Sequence, residues 1–178
     1  KKRLQILKKN KNFLFKKIDI VNYKRLLSLK EIKIDKIINL AAQAGVRYSI
    51  KNPDEYIKNN ILGFYNILKF GKEIKIKHLI YASSSSVYGE GKSLSLSKET
   101  DFVKNLKSIY SFTKFSNENM ADIFSHLYNM KITGLRFFTV FGKFGRPDMA
   151  IYNFVDSILK NKTISLYNHG NNVRDFTY

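Results

Sequence analysis

Residues 78–89 read HLIYASSSSVYG, a largely apolar run that passes directly into four serines. A short, nearly continuous apolar run is typical of a strand that is buried on both faces of a parallel sheet. Residues 36–42, KIINLAA, form a second run of this kind. We therefore predict a buried strand over 78–84, with hydroxyl groups at its carboxyl end, and another buried strand over 36–42.

Strand and helix patterns alternate along the rest of the chain. We predict further strands over 13–20, 131–138 and 164–167, and helices over 1–10, 23–29, 53–70, 108–128 and 148–160. Gly71 is the expected stop of the 53–70 helix. Such alternation is typical of an α/β fold with a doubly wound parallel sheet. In these sheets ligands lie outside the carboxyl ends of the strands, where this chain has small or polar residues: Asp19, Ala41, Ala42, Gln43, Ser83, Ser84 and Thr139.

The composition excludes several kinds of site. The chain has no cysteine, which rules out disulfides, thiolate nucleophiles and cysteine-bound zinc. Its three histidines, at positions 78, 126 and 169, lack the spacing of metal ligands, so no metal site is expected. No apolar run approaches the roughly 20 residues that span a bilayer, and no signal peptide is recognisable. We expect a cytoplasmic protein with no membrane partner.

The formal net charge of +18 is concentrated near the start of the chain. Residues 1–36 hold 13 lysines and arginines against three acidic residues. A basic patch of this size can attract nucleic acid. These basic residues are interleaved with leucine, isoleucine and phenylalanine, as on a solvated helix face, and no recognition motif accompanies them. We therefore expect no nucleic-acid partner, whereas an anionic substrate would be favoured by the positive field.

Tyr110 and Lys114 form a candidate acid–base pair. In a helix, residues four apart are neighbours on one face. A nearby ammonium favours the phenolate and lowers the pKa of a tyrosine from its usual value of about 10. The pair would then supply a base near neutral pH, and a serine hydroxyl from 83–86 could hold the reacting oxygen. The alternative is an ordinary core-facing tyrosine with a solvated lysine one turn later.

Several motifs together resemble one family, the extended short-chain dehydrogenases that bind NAD and act on nucleotide sugars. The closest resemblance is to the UDP-glucuronate 4-epimerases. The motifs extend along nearly the whole chain: LAAQAGVRYS at 40–49, NNILGFYNIL at 59–68, YASSSSVYG at 81–89, Tyr110 with Lys114, LRFFTVFG at 135–142, GRPDMA at 145–150 and RDFTY at 174–178.

The resemblance implies a role for each matching residue. The catalytic residues would be Ser84, Tyr110 and Lys114. The implied NAD-binding residues are Asp19 and Ile20 at the adenine, Ala41, Ala42 and Gln43 through their backbone, Asn60, Ser83, Tyr110, Lys114 and Phe137. The implied substrate-binding residues are Arg47, Ser84, Ser85, Thr139, Arg146 and Arg174, with Arg174 at the diphosphate, since a guanidinium fork suits phosphate oxygens.

Two serines favour epimerisation among the reactions of this family. Related dehydratases carry an Asp-Glu pair directly before the Val-Tyr-Gly, and related decarboxylases usually carry a glutamate there, whereas this chain has Ser85 and Ser86. The implied reaction interconverts UDP-glucuronate and UDP-galacturonate through a 4-keto sugar. The alternatives are another nucleotide-sugar epimerase with C4 or C5 specificity, an inactive remnant of the family, and a basic non-catalytic binding module.

The chain also departs from the family pattern. It lacks the glycine-rich loop that lets a backbone approach a pyrophosphate, and with it the first two strands of the sheet. We therefore expect a fragment with an incomplete Rossmann-like sheet. Residues 1–142 would be part of the NAD-binding domain, and 143–178 the beginning of a small nucleotide-sugar-binding domain. The resemblance also implies a homodimer for the full-length protein.

Overall fold

The computed structural model describes residues 2–89, 96–101, 105–171, 173 and 176–178. The chain divides into two compact units. One unit is Lys17–Phe137, and the other combines Lys1–Lys16 with Phe138–Tyr178. The predicted division at residue 142 into a cofactor part and a sugar part stays a prediction.

Three parallel strands form the sheet of the Lys17–Phe137 unit. They are β1 (Lys36–Asn39), β2 (His78–Ala82) and β3 (Ile132–Leu135), in the spatial order β1-β2-β3. The register pairs Ile38 with Ile80 and Tyr81 with Gly134. Parallel neighbours need crossover connections, and helices supply them here. The predicted α/β fold with a parallel sheet is confirmed.

Seven α-helices lie within the described residues. They are α1 (Lys2–Leu7), α2 (Tyr23–Leu27), α3 (Val46–Lys51), α4 (Pro53–Tyr56), α5 (Gly63–Glu73), α6 (Ile109–Tyr128) and α7 (Ala150–Leu159). A π-helical turn at Ile57–Leu62 joins α4 to α5, so that one continuous helix runs over 53–73. A 3₁₀ turn at Ser85–Tyr88 follows β2.

The core lies between the sheet and helices α5 and α6. Leu79 and Tyr81 of β2 pack against Phe64 and Leu68 of α5. Gly134 permits this packing, because a Cβ at that position would lie 2.5 Å from the Tyr81 hydroxyl oxygen. Side chains alternate between the two faces of a strand, so Leu79 and Tyr81 lie on the face of β2 that packs against the helices.

Some predictions about the strands are wrong. The segments 13–20 and 164–167 do not form strands, because neither pairs with a strand among the described residues. β1 was predicted to be buried on both faces, yet Ile38 is 65% exposed. Ile37, on the other face of β1, packs against the core, so within the described residues only one face of this strand is covered.

Gly71 does not end the helix that contains it. Helix α5 continues to Glu73, and Gly71 is buried within it. A Cβ at Gly71 would come within 3.1 Å of Ile76 and 3.3 Å of Met130. The glycine therefore serves close packing against the core rather than helix termination.

The second unit contains α1, α7 and a small parallel pair of strands. Strand β4 (Thr139–Val140) pairs with β5 (Phe176–Thr177), and a 3₁₀ turn spans Tyr167–Gly170. Across the described parts of both units, no helix combines the length and the apolar character needed to cross a membrane.

Candidate active site

Lys114 is a buried cation on the inner face of α6, with 4% of its surface exposed. Its Nζ donates a hydrogen bond to the carbonyl of Ala82, the last residue of β2, at 2.7 Å. Burial lowers the pKa of Lys114 to about 8, because a poorly solvated site disfavours the charged form. An ammonium carries three hydrogens, so Lys114 can serve further acceptors at this end of the sheet.

The lowered pKa predicts how stability depends on pH. Between pH 8 and 10.5, the unfolded chain holds the Lys114 proton and the folded chain has released it. Because the unfolded state binds more protons, stability rises with pH across this window, by about 1.4 kcal/mol per pH unit and about 3 kcal/mol in total. Below this window both states are protonated, and the desolvation penalty remains in full.

A Lys114→Met variant is expected to lack the rise in stability between pH 8 and pH 10.5, because it has no titrating group at this position. The measurement is the free energy of unfolding in urea, for the parent protein and the variant, at about pH 7.5 and about pH 10. Subtracting the variant's value from the parent's at each pH cancels the effect of the other titrating groups. The parent should gain about 2.4 kcal/mol over the variant between these pH values. The same pH dependence in both proteins would contradict the assignment.

Tyr110 lies in the first turn of α6, one turn before Lys114. Ser108 caps this helix: its Oγ accepts from the backbone N of Ser111 at 3.0 Å, and the Ser111 Oγ accepts from the backbone N of Ser108 at 3.1 Å. Such reciprocal capping fixes the start of a helix. The Tyr110 ring also meets the ring of Tyr56 edge to face, 6.0 Å between centroids. The partly exposed phenol is thus held on a rigid element.

Tyr56 connects this tyrosine to the segment after β1. The Tyr56 side chain is fully buried, and its hydroxyl donates to the carbonyl of Gly45 at 2.6 Å and to that of Ala44 at 3.0 Å. Gly45 has φ of 108°, a conformation that favours glycine. Sequence reasoning missed Tyr56; its signal was a tyrosine four residues before Asn60, on the same helical face.

The Asn60 side chain hydrogen-bonds to both the N–H and the carbonyl of Gln43. Its Oδ1 accepts from the Gln43 N–H at 2.7 Å, and its Nδ2 donates to the Gln43 carbonyl at 3.0 Å. The same Nδ2 donates to Thr113 Oγ1 at 3.0 Å. Asn117 extends the contact, since its amide nitrogen, oriented to satisfy both groups, donates to the carbonyls of Asn60 and Thr113. The predicted cofactor residues Gln43 and Asn60 are therefore directly joined.

The four serines after β2 point to different partners. Ser83 is buried, and its Oγ donates to Glu118 Oε1 at 2.5 Å. The backbone N of Ser85 donates to the carbonyl of Phe137 at 2.8 Å. The Oγ of Ser84 accepts from the backbone N of Ser86 at 3.2 Å and from its Oγ at 2.9 Å. The Ser83 hydroxyl therefore uses its hydrogen in a bond to Glu118, whereas the Ser84 hydroxyl accepts hydrogen bonds at the start of the 3₁₀ turn.

Glu118 and Arg136 form an ion pair that sequence reasoning did not single out as part of the site. Arg136 Nε lies 2.9 Å from Glu118 Oε1, and its terminal nitrogen lies 2.8 Å from Oε2. The guanidinium also lies over the Tyr88 ring, 4.7 Å from its centroid. The hydrogen bonds to Glu118 raise the pKa of Arg136. Glu118 follows Lys114 by four residues, and this helical spacing was the available signal.

Asp19 and Ile20 lie in a turn attached to α5. Asp19 Oδ1 accepts from the backbone N of Val21 at 3.0 Å, and the Asp19 side chain is exposed. Asn66 Nδ2 donates to the carbonyls of Ile20 and Val21, each at 2.9 Å. Asn66 was also missed; its signal was a polar amide on an otherwise apolar helix face.

Of the remaining predicted residues in this unit, Ala41 is exposed and Ala42 half-buried in the segment after β1, and Arg47 is exposed on α3. Phe137 follows β3 and is 41% exposed. Backbone bonds from Ser83 to Leu135 and from Ser85 to Phe137 hold the ends of β2 and β3 side by side.

Thr139 and Arg146 belong to the second unit. Thr139 lies on β4, and Arg146 forms a two-point contact with the carboxylate of Asp148. The hydrogen bond from Arg146 lowers the pKa of Asp148. Arg174 lies outside the described residues. The predicted roles of these three residues stay predictions.

The structure gathers several predicted residues at the carboxyl ends of the strands: Gln43, Asn60, Ser84, Tyr110, Lys114 and Phe137. They are linked through Ala82, Thr113 and Tyr56. Within the described ranges, no three histidine, aspartate or glutamate side chains converge as metal ligands. The chemistry offered is that of a phenol, a lysine and a serine at one edge of a parallel sheet.

The sequence model of the NAD dependent epimerase/dehydratase family matches residues 2–178. The chain belongs to this family. Related curated proteins include Protein CapI of Staphylococcus aureus, 52% identical over 94% of this chain and 50% of that protein. Another is a probable UDP-glucuronate 4-epimerase of Rhizobium meliloti, 47% identical over 80% of this chain and 41% of that protein. The chain thus spans about half the length of such family members.

A solved structure of the same family has a closely similar fold. The UDP-glucuronic acid 4-epimerase of Bacillus cereus, in complex with UDP-glucuronic acid and NAD, superposes with a TM-score of 0.90 at 37% identity. The match covers 99% of this chain and 55% of that one. Such a likeness confirms the Rossmann-like character of the fold.

The donor set of the described site fits the NAD of this family. Lys114 retains hydrogens beyond the one given to Ala82, and these suit ribose hydroxyls. Asp19 presents an exposed carboxylate at a turn, and Phe137 is partly exposed directly after β3. Lys114 bonds to the last residue of β2 and Phe137 follows β3, at the carboxyl ends of strands where dinucleotides bind in doubly wound folds, whereas Asp19 lies in the turn before α2.

Proposed function

We propose that this chain is the cofactor-contacting part of an NAD-dependent nucleotide-sugar 4-epimerase, and that its substrate is UDP-glucuronate. The observation that carries the proposal is the convergence of Tyr110, Lys114 and Ser84 at one edge of the sheet. The family membership and the UDP-glucuronate 4-epimerase names of relatives support the substrate. Ser85 and Ser86, in place of acids, favour epimerisation over elimination.

Each residue has a distinct task in this proposal. Tyr110 removes the proton of the sugar 4-hydroxyl and later returns it, as a general base and then a general acid. Lys114 holds the ribose of the cofactor and keeps a positive group one helical turn from the phenol. Ser84 donates a hydrogen bond to the sugar oxygen. When bound, NAD would supply the acceptor for the C4 hydride and then the donor that returns it to the opposite face of the 4-keto sugar, so that C4 is inverted and the cofactor is regenerated.

The proposed binding groups for the anionic parts of the substrate are arginines. Arg47 on α3 would face the sugar carboxylate, and Arg146 and Arg174 would serve the sugar and the diphosphate. A guanidinium suits both anions because it offers paired donors in one plane. For Arg146 to act in this way, its contact with Asp148 must open or be shared.

The test is a conversion assay on the full-length protein. We expect UDP-glucuronate to yield UDP-galacturonate, separated by chromatography, without net consumption of NAD. UDP-glucose and UDP-N-acetylglucosamine serve as competing substrates. If the protein epimerises only UDP-glucose or only UDP-N-acetylglucosamine, the proposed reaction stands and the proposed substrate is wrong. A folded, NAD-bound protein that converts none of them would overturn the enzymatic proposal and favour an inactive remnant.

A further inference from the structure

Ser86 donates two hydrogen bonds to the hydroxyl oxygen of Ser84. A serine hydroxyl has one hydrogen to donate and two lone pairs that accept. Ser84 Oγ accepts from the backbone N of Ser86 at 3.2 Å and from Ser86 Oγ at 2.9 Å. Both acceptor positions of Ser84 are therefore used by one neighbour, two residues along the chain.

The remaining hydrogen of Ser84 is available to an incoming molecule. Among the residues that the structure describes, none accepts a hydrogen bond from Ser84 Oγ. The turn that holds this geometry is firmly placed: Val87 is buried, the backbone N of Val87 donates to the Ser84 carbonyl at 3.1 Å, and the backbone N of Ser85 donates to Phe137. Ser84 is thus arranged as a donor and not as an acceptor.

We propose that Ser86 is a positioning residue that makes Ser84 a fixed hydrogen-bond donor to the reacting sugar oxygen. The proposal rests on the proposed function. A sugar hydroxyl can both donate and accept, whereas the oxygen of a 4-keto sugar can only accept. A fixed donor at Ser84 can bond to the oxygen in both states. Because Ser84 cannot accept the hydroxyl hydrogen, that hydrogen is directed to Tyr110.

The substitution Ser86→Ala isolates this effect. It removes the Oγ of Ser86 but keeps the backbone N–H that caps the 3₁₀ turn, so the fold should be retained. Ser84 would regain one free lone pair and could rotate to accept from the sugar hydroxyl. We expect kcat to fall about tenfold, the effect of one misdirected hydrogen bond, with the KM for the sugar changed by less than about twofold.

A double-mutant cycle separates positioning from an independent role. If Ser86 acts through Ser84, Ser86→Ala should have no further effect in a Ser84→Ala background. Ser86→Thr, which keeps the hydroxyl, should restore kcat to within about threefold of the parent. Ser125→Ala is the matched control, since it deletes a hydroxyl bonded to the Met130 carbonyl elsewhere on α6 and should leave kcat unchanged. An equal loss in both backgrounds would overturn the proposal.

A crystal structure of the Ser86→Ala variant gives a readout that does not depend on the reaction. We expect the Ser84 side chain to occupy more than one rotamer once the Ser86 Oγ is absent. A single Ser84 rotamer, unchanged from the parent, would overturn the proposal. If the parent protein epimerises no nucleotide sugar, the proposed function fails, and the rotamers of Ser84 still decide whether Ser86 positions it.

Discussion

A Tyr110→Phe variant is expected to convert UDP-glucuronate about 10²- to 10⁴-fold more slowly than the parent protein, the usual contribution of a general acid–base group. The loss should fall on kcat, because the hydroxyl acts on the proton that moves during the reaction. No described residue bonds to the Tyr110 hydroxyl, so its removal leaves no partner unsatisfied. The ring keeps its edge contact with Tyr56.

The matched control for Tyr110 is Tyr128→Phe. Tyr128 lies at the other end of α6, and its ring, over which Lys72 Nζ lies at 3.9 Å, is kept in the variant. Both variants make the same chemical change on the same helix. The measurement is kcat by product chromatography, with thermal unfolding to compare stability. A Tyr110→Phe enzyme that keeps more than about a tenth of the parent kcat would show that another group moves the proton.

An Asn60→Ala variant is expected to lose about 3 kcal/mol of stability. The substitution leaves the Gln43 N–H and the Gln43 carbonyl without the partner they have in the fold, and the Thr113 hydroxyl keeps only its bond to the Tyr110 carbonyl. An unsatisfied buried polar group costs about 1–3 kcal/mol, and the partial exposure of Gln43 lets water reduce the total. The segment after β1 would also lose its attachment, so NAD affinity should fall as well.

Asn59→Ala provides the comparison, since Asn59 is the neighbour in the same π-helical turn. Among the residues that the structure describes, its Nδ2 bonds to Glu55 alone, in the preceding turn. We expect a loss of less than about 1 kcal/mol, typical of an exposed local hydrogen bond. Urea unfolding measures both variants, and equal midpoints would mean that the bonds of Asn60 to Gln43 and Thr113 contribute little.

Local patterns predicted the parts of this chain that depend on nearby residues. β2 was predictable from its apolar run, and the start of α6 from Ser108, whose capping partners lie within the next turn. Tyr110 and Lys114 could be paired because a helix brings residues four apart together. The resemblance to the family assigned Gln43 and Asn60 to the same cofactor region. Nothing in the two residue types by themselves predicts their hydrogen bond, which joins positions 17 residues apart.

The predictions that failed depended on distant partners. The segment 13–20 carries a strand-like pattern, but a strand forms only where a neighbour supplies hydrogen bonds. Gly71 has the sequence pattern of a helix end, but it lies inside α5, where it leaves room for Met130, a residue distant in the sequence. The pair of Glu118 and Arg136 was missed for the same reason, since their contact requires α6 to lie against β3.

The π-helical turn at Ile57–Leu62 constrains the number of residues in this helix as well as their identity. A π turn holds one residue more than an α turn, and each residue of an α-helix turns the chain by about 100°. Deleting one residue here would rotate Phe64 and Leu68 away from the sheet while Tyr56 stayed against α6. An insertion or a deletion between Tyr56 and Phe64 would therefore separate the packing of α5 on the sheet from the contact of Tyr56 with Tyr110, even if Asn60 kept its bonds to Gln43.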